Sequence, residues 1–306
     1  MHEFERRFGE LVIKYRWLVI IGCLLLVGLM ASGAKNLSMT TNYRVFFSED
    51  NPQRMAFEAL ENTYAKNDNV MFVIAPEDGV VFTQEMMEAV YELTDQAWQI
   101  PYSSRVDSLT NYQHTEAEDD DLLVEDLVED PAALTPERLA KIKDIAVNEP
   151  LLLHRLISDK AHVTAVNVTI QLPGINEATE TPEVVEHARK LAAEIQAKYP
   201  FINIYMTGMV MMNHSFSEAS QNDMKSLVPI SFLIMMIMLF LMIRGFAGTV
   251  LTMVVIILSV IAAMGAGGHI GYPITPPSAI APTIILTVAI ANSVHVLVTF
   301  YHNMRE

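Results

Sequence analysis

From Ala279 to Tyr301 the chain reads AIAPTIILTVAIANSVHVLVTFY, 23 residues without a formal charge. At about 1.5 Å of rise per residue, a helix of this length crosses a hydrocarbon core of about 30 Å. The run is not uniformly apolar. Asn292, His295, Thr299 and His302 recur at helical spacing and share one face, with Ser293 beside Asn292. An amide and a titratable ring are costly in lipid, so this face is expected to look into a protein interior or a wet cavity. Asn292, Ser293, His295 and Thr299 are therefore candidates either for coupling work inside the membrane or for hydrogen bonds that hold helices together.

Three more apolar runs fit the same reading: Trp17–Ala34, Leu227–Ile243 and Phe246–Gly268. The first has a rival. A basic start, an apolar middle and the small residues Ala31-Ser32-Gly33-Ala34 also describe a signal peptide. The three later spans favour a retained membrane helix. Arg6, Arg7, Lys14 and Arg16 precede the first span, Arg244 lies between the second and third, and Arg305 follows the fourth. The connection His269–Ser278 has neither Lys nor Arg. The excess of basic residues on the cytoplasmic side then places residues 1–16, Arg244 and Arg305 inside, and residues 35–226 outside the cytoplasm. The localisation expected is a multi-pass protein of the cytoplasmic (inner) membrane.

Residues 35–225 hold 32 of the 36 acidic and 14 of the 20 basic side chains, a net charge of −18. Such a segment does not suit nucleic acid, which needs a basic footprint. The single cysteine, Cys23, excludes an intrachain disulfide and a cysteine-based zinc site. No phosphate-binding loop of the G-x-x-x-x-G-K-[ST] type is present, and no nucleophile, base and orienting group converge, so neither an ATP-driven motor nor a hydrolase is expected. No cofactor and no metal site is expected. Met206, Met209, Met211, Met212 and His214 suit soft-metal handling by residue type, but methionine is also an adaptable apolar filler and 19 occur along the chain.

Within the insert, Asn69–Ile74, Arg105–Leu109, Val163–Leu172 and Ile202–Met206 read as strands. Thr83–Trp98 reads as a helix capped by Thr83, with Met86, Met87, Val90, Leu93 and Ala97 on its apolar face, and Pro182–Lys198 as a second helix. Strand–helix–strand, twice, is the split βαβ pattern of ferredoxin-like folds. Glu116–Asp130 packs nine acids into fifteen residues and is expected to be a solvated flexible or helical loop; it has no D-x-D-x-D-G loop for calcium. Pro131–Leu156 reads as a small helical insert starting at Thr135-Pro136-Glu137. Ser215–Ser226 is polar but helical and runs into the second span, with Asp223 as a weaker coupling candidate. Ser259, Ala263 and Gly267 repeat every fourth residue in the third span, a small-residue seam for helix packing. Pro282 leaves a carbonyl unpaired near the start of the fourth.

The order of these parts resembles the resistance–nodulation–division superfamily, and within it the MmpL-like exporters of hydrophobic and amphiphilic molecules. The resemblance rests on YRVFFSEDNPQRMAFEALENTYAKNDNVMFVI after the first span, on the helix–strand–Thr-Gly run from Glu183 into the second, and on AIANSVHVL in the fourth. It implies a membrane α-helical protein with an inserted α+β, porter-type extracytoplasmic domain. It also implies proton-coupled alternating access, a hydrophobic or amphiphilic substrate, contact with membrane lipids, periplasmic or outer-membrane partner proteins, and a homo-oligomer. Many relatives carry an Asp where this chain has Asn292, and an amide holds no exchangeable proton at ordinary pH, so His295 is left as the titratable candidate. Relatives also have six spans per repeat and two repeats, so the chain reads as the first part of a longer protein. The alternatives are a non-transporting lipid sensor or scaffold, as in sterol-sensing relatives, and a motor for protein export.

Overall fold

The computed structural model describes residues 2–38, 40, 43–64, 68–118, 121–243, 246–275 and 277–303. Arg244, Gly245 and Arg305, which bear on the expected orientation, lie outside the described residues, as do Asp119 and Asp120 of the acidic stretch.

The chain begins with α1 (His2–Lys14) and α2 (Arg16–Ala31), which tightens into a 3-10 turn over Ser32–Asn36. After a second such turn (Tyr43–Phe46), α3 (Pro52–Thr63) starts on Asn51, whose side chain accepts the N–H groups of Gln53 and Arg54. There follow β1 (Asp68–Pro76), α4 (Gln84–Ala97), β2 (Ser103–Asp107), β3 (Gln113–Glu118) and β4 (Asp121–Asp126). Next come α5 (Pro136–Asn148), β5 (Thr164–Ile170), α6 (Glu177–Lys198) and β6 (Ile202–Thr207). The last elements are α7 (Met209–Lys225), α8 (Leu227–Ile243), α9 (Phe246–Ile270) and α10 (Ala281–Asn303). Two compact units result, one of residues 42–216 and one of residues 1–41 with 217–306.

In the first unit, β2, β5, β1 and β6 lie side by side in that order, every pair antiparallel. The halves β1–α4–β2 and β5–α6–β6 make this the expected split βαβ sheet. The period of two in β1 explains its placement: Val70, Phe72 and Ile74 are fully buried, while Met71 and Val73 face the other way. Met86, Met87, Val90 and Leu93 of α4 and Val184, Val185 and Ala188 of α6 cover the buried face. Each large side chain buried there contributes about 2 kcal/mol. Thr83 caps α4 by accepting the Met86 N–H, and Thr135 caps α5 by accepting that of Arg138.

Two expectations change. Among the described residues most of the acidic stretch is strand rather than loop or helix: β3 and β4 pair antiparallel, Thr115 with Val124 and Glu116 with Leu123. Its ladder continues through Leu127 N–H to Tyr112 O and Val128 N–H to Thr110 O, and both apolar side chains are buried. Burial of this pair anchors the stretch, and beside it Asp126, Glu129 and Asp130 stay exposed. Helix α6 starts five residues before Pro182. The buried Glu180 carboxylate accepts the N–H groups of Gly174, Ile175 and Asn176, and these charge-assisted bonds secure an end from which proline removes one donor.

Glu92 ties α4 to the end of α6. The Lys198 ammonium and the Tyr199 hydroxyl both donate to its Oε2, at 2.6 and 2.7 Å. Burial works against the charged form, and the hydrogen bonds outweigh it, holding the carboxyl below its ordinary range. A depressed carboxyl pKa supplies stability that is present above the unfolded value and is lost as pH falls through the folded one. Glu92→Gln is therefore expected to cost about 1 kcal/mol at neutral pH and to flatten the acid limb of the stability curve. Denaturation from neutral pH to about pH 3 would refute this if both proteins lost stability in parallel.

In the second unit α9 is central, packing against α2 and the Ser32–Asn36 turn, against α8 and against α10. Arg16–Asn36, Met209–Leu241, Phe246–Ile270 and Ser278–Phe300 are each long and apolar enough to cross a membrane. Ser226 N–H to Asn222 O and Ile230 N–H to Ser226 O carry the helical ladder from α7 into α8.

Candidate functional site

Two faces of α9 meet neighbours. On one, Thr249, Thr252 and Ile256 are buried, at spacings that keep them on a single stripe. Beside it, between α9 and α10, lies a groove of about 330 Å³ whose lining includes Leu251, Thr252, Val255, Asn292, Ser293 and Val296. This groove brings two of the candidates, Asn292 and Ser293, next to the Thr252 side chain in otherwise apolar surroundings. His295 and Thr299 are not part of it. Both are exposed, and the Thr299 hydroxyl donates to the His295 carbonyl at 2.9 Å, a bond within its own helix turn. Asn292 is exposed as well, so enclosure of this face, the sequence expectation, is not met by the described residues of this chain. Asp223 lies exposed on α7.

The other face corrects the small-residue seam. Ser259 spends its hydroxyl on Val255 O of its own helix, Ala263 is exposed, and a Cβ added at Gly267 would meet nothing within 4 Å. The close approach uses Gly33, Gly265 and Gly268 instead. A Cβ at Gly265 would run into Met30 O, one at Gly268 into Gly33 O, and one at Gly33 into Gly265 O, all backbone atoms. The four-residue repeat located a small face, but on a helix apolar all round it is position in the bundle that decides which face finds a neighbour.

Beside this contact sits His269, the last but one residue of α9. His269 Nε2 lies 3.0 Å from Leu29 O and 3.1 Å from Ser32 Oγ, and the Ser32 hydroxyl donates to Leu29 O at 2.7 Å. The last turn of α2, which lacks helical partners for its carbonyls, thus gains two donors. Thr40 N–H to Ile274 O and Ile274 N–H to Ser38 O then join the segment after α2 to the segment after α9. The glycine-rich run around His269 was the only local hint of this junction.

In the first unit, Asn69 of β1 forms a second long-range junction. Its Oδ1 accepts the Met209 N–H at 3.1 Å and its Nδ2 donates to Asn167 Oδ1 at 2.6 Å. Gly208, with φ of 109°, sits against the Asn69 backbone. Among the described residues, no group of three or more His, Cys, Asp or Glu is placed to hold a metal ion.

A family model described as the MMPL family matches residues 51–297. No curated protein matches the chain. Among solved structures it is similar to a heavy metal efflux pump determined by X-ray crystallography, at 13% identity and a TM-score of 0.37, over 76% of this chain and 28% of that one. The chain spans less than a third of that pump's length.

Proposed function

The chain belongs to the MMPL family, and on that premise we propose that it acts in the export of hydrophobic or amphiphilic molecules across the cytoplasmic membrane, driven by the proton gradient. The observation that supports this best is the acidic split βαβ unit inserted between the first and second of four apolar helices, the last of which carries polar residues at its middle. Residues 35–226 lie outside the cytoplasm in this reading, and the basic N-terminus lies inside. The protein performs no chemistry on its cargo. It works as an oligomer with partner proteins beyond the membrane.

In the coupling step His295 takes up and releases the proton, because of the two histidines on the polar face of α10 it lies further from the helix end, next to Asn292. Asn292, Ser293 and Thr252 supply hydrogen bonds across the α9–α10 groove, and Asp223 is a further acid on the approach. Asn292 in place of a carboxylate favours one second reading, a lipid sensor that does not transport.

The test is export of a dansyl-labelled fatty acid by the full-length protein in proteoliposomes under an imposed pH gradient. Gradient-dependent export is expected, lost in His295→Ala at unchanged abundance and retained in Asn292→Asp. Normal export by His295→Ala would leave that residue a packing role, and saturable binding with no export under any gradient would favour the sensor. In intact cells, with Cys23 and every other native cysteine replaced by Ser, a cysteine replacing Gln113 should react with an impermeant thiol reagent; protection there would overturn the orientation.

A further inference from the structure

The sheet of the first unit is covered by helices on one face only. On its other face the register sets Asp107, Asn167 and Met71 in one row across β2, β5 and β1, and Arg105 and Asn69 flank Thr169 in the next. Over these rows lies a cavity of about 860 Å³, within the size range of sites for small molecules. Its walls are two connections held by their own hydrogen bonds. After β2, the Asn111 amide donates to Val106 O and accepts from Ser108 N–H. Before β5, the turn 149–157 is closed by Arg155 and Leu156 N–H to Leu152 O and by His154 N–H to Ile157 O. His154 holds a φ of 62°, which the tight turn imposes. The main chain of these walls is therefore ordered before any ligand arrives, and less entropy is lost on binding.

The lining divides by chemistry. Trp98, Leu151, Leu152 and Met71 supply apolar surface, and Trp98 and Leu151 are about half exposed, at 47% and 56%. Arg105, Arg155 and His154 supply donors. The Arg105 charge is taken up by Asp107, 2.7 Å away. Nearby Glu149 is engaged by Tyr112, whose phenol burial and the Glu149 charge keep in its neutral, donating form. Among the described residues the Arg155 guanidinium has no carboxylate partner. A free guanidinium beside exposed aromatic and aliphatic surface is unexpected on a segment of net charge −18, where acids are abundant. Arginine matches phosphate and carboxylate oxygens with paired, charge-assisted donors.

We propose that this cavity binds a single amphiphile with an anionic head group, phosphate or carboxylate, its head on Arg155 and its apolar body along Trp98 and Leu151. The site would select the cargo of the exporter proposed above, and it rests on that reading for its purpose but not for its binding.

The experiment uses the full-length protein in phosphatidylcholine nanodiscs, with Trp17 and every other tryptophan except Trp98 replaced by Phe, so that emission reports Trp98 alone. Octyl phosphate is expected to give a saturable blue shift. Octyl glucoside, with the same tail and a neutral head, should bind about tenfold more weakly. Inorganic phosphate should leave Trp98 emission unchanged and compete only weakly. Arg155→Gln should weaken octyl phosphate about tenfold and leave octyl glucoside unaltered, and Leu151→Ser should weaken both. Arg155 and Leu151 are exposed, so both variants should melt as the parent does. Equal affinity for the two head groups, no effect of Arg155→Gln, or the absence of any saturable shift would each overturn the proposal. Full competition by inorganic phosphate at the same concentration would reduce the site to one for a bare anion and overturn it too. Loss of export with this binding intact would sink the exporter reading alone.

Discussion

Gly268→Ala should destabilise the helical unit by about 3 kcal/mol, while Gly267→Ala, one residue away, should stabilise it by up to about 1 kcal/mol. Alanine is the better helix former by about 1 kcal/mol, so in open surroundings the exchange is favourable. Gly267 is in open surroundings, and an added Cβ there meets nothing within 4 Å. At Gly268 the same methyl would enter Gly33 O, and at Gly265 it would enter Met30 O and the Ala31 main chain. No side-chain rotation relieves a clash with backbone, so α2 and α9 must move apart. That separation also stretches the bonds from His269 to Leu29 O and from Ile274 to Ser38 O, which lie at the same junction. Unfolding of the detergent-solubilised protein by graded sodium dodecyl sulfate reads the difference directly. Equal stability of the two variants would mean that α2 does not approach α9 through these glycines.

The contrast also shows where periodicity stops being informative. In the split βαβ unit one face of each strand and helix is buried and the other is wet, so alternation in Val70, Phe72 and Ile74, and the helical stripe from Met86 to Ala97, declare their orientation in the residues themselves. In α9 nearly every position is apolar, and residue type no longer marks a direction. Spacing could name Ser259, Ala263 and Gly267 as a small face, but only tertiary position reveals that Gly265 and Gly268 meet the neighbour.

The polar candidates divide in the same way. Asn292 and Ser293 were legible because an amide within an apolar run is conspicuous, and they line the groove beside Thr252. Thr252 carries no comparable signal, since a lone threonine in a span commonly bonds to its own helix. His269 itself has no local signal because its partners, Leu29 and Ser32, lie 240 and 237 residues away in sequence. The acidic stretch shows composition outweighing pattern. Nine acids argued for a loop, yet Leu127 and Val128 at its end carry the burial that fixes it. The cavity on the open sheet face depends on cross-strand register, which sets Asp107, Asn167 and Met71 in one row and which no single strand encodes.

Gly208→Ala should cost the sheet unit about 3 kcal/mol, against about 1 kcal/mol for Gly174→Ala. Both glycines hold positive φ, 109° and 71°, so both substitutions add backbone strain. They differ in surroundings. A Cβ at Gly174 meets nothing within 4 Å, whereas one at Gly208 would enter Asn69 O and crowd its side-chain Oδ1 at 3.0 Å. Asn69 cannot retreat freely. Its Oδ1 accepts the first N–H of α7, from Met209, and its Nδ2 is bonded to Asn167. Displacing it therefore exposes a helix N-terminus and breaks a cross-strand bond together with the steric clash. Asn69→Ala should relieve the clash only in part, because the collision with its carbonyl remains, and should itself cost about 1 kcal/mol through the lost cap. The double variant Asn69→Ala/Gly208→Ala is then expected to be less destabilised than the sum of the two, a coupling that separate strain at Gly208 could not produce. Additive losses in denaturant titrations would show that positive φ and the collision with the Asn69 main chain together make glycine necessary here, and that the Asn69 side chain plays no part in holding the turn from β6 into α7.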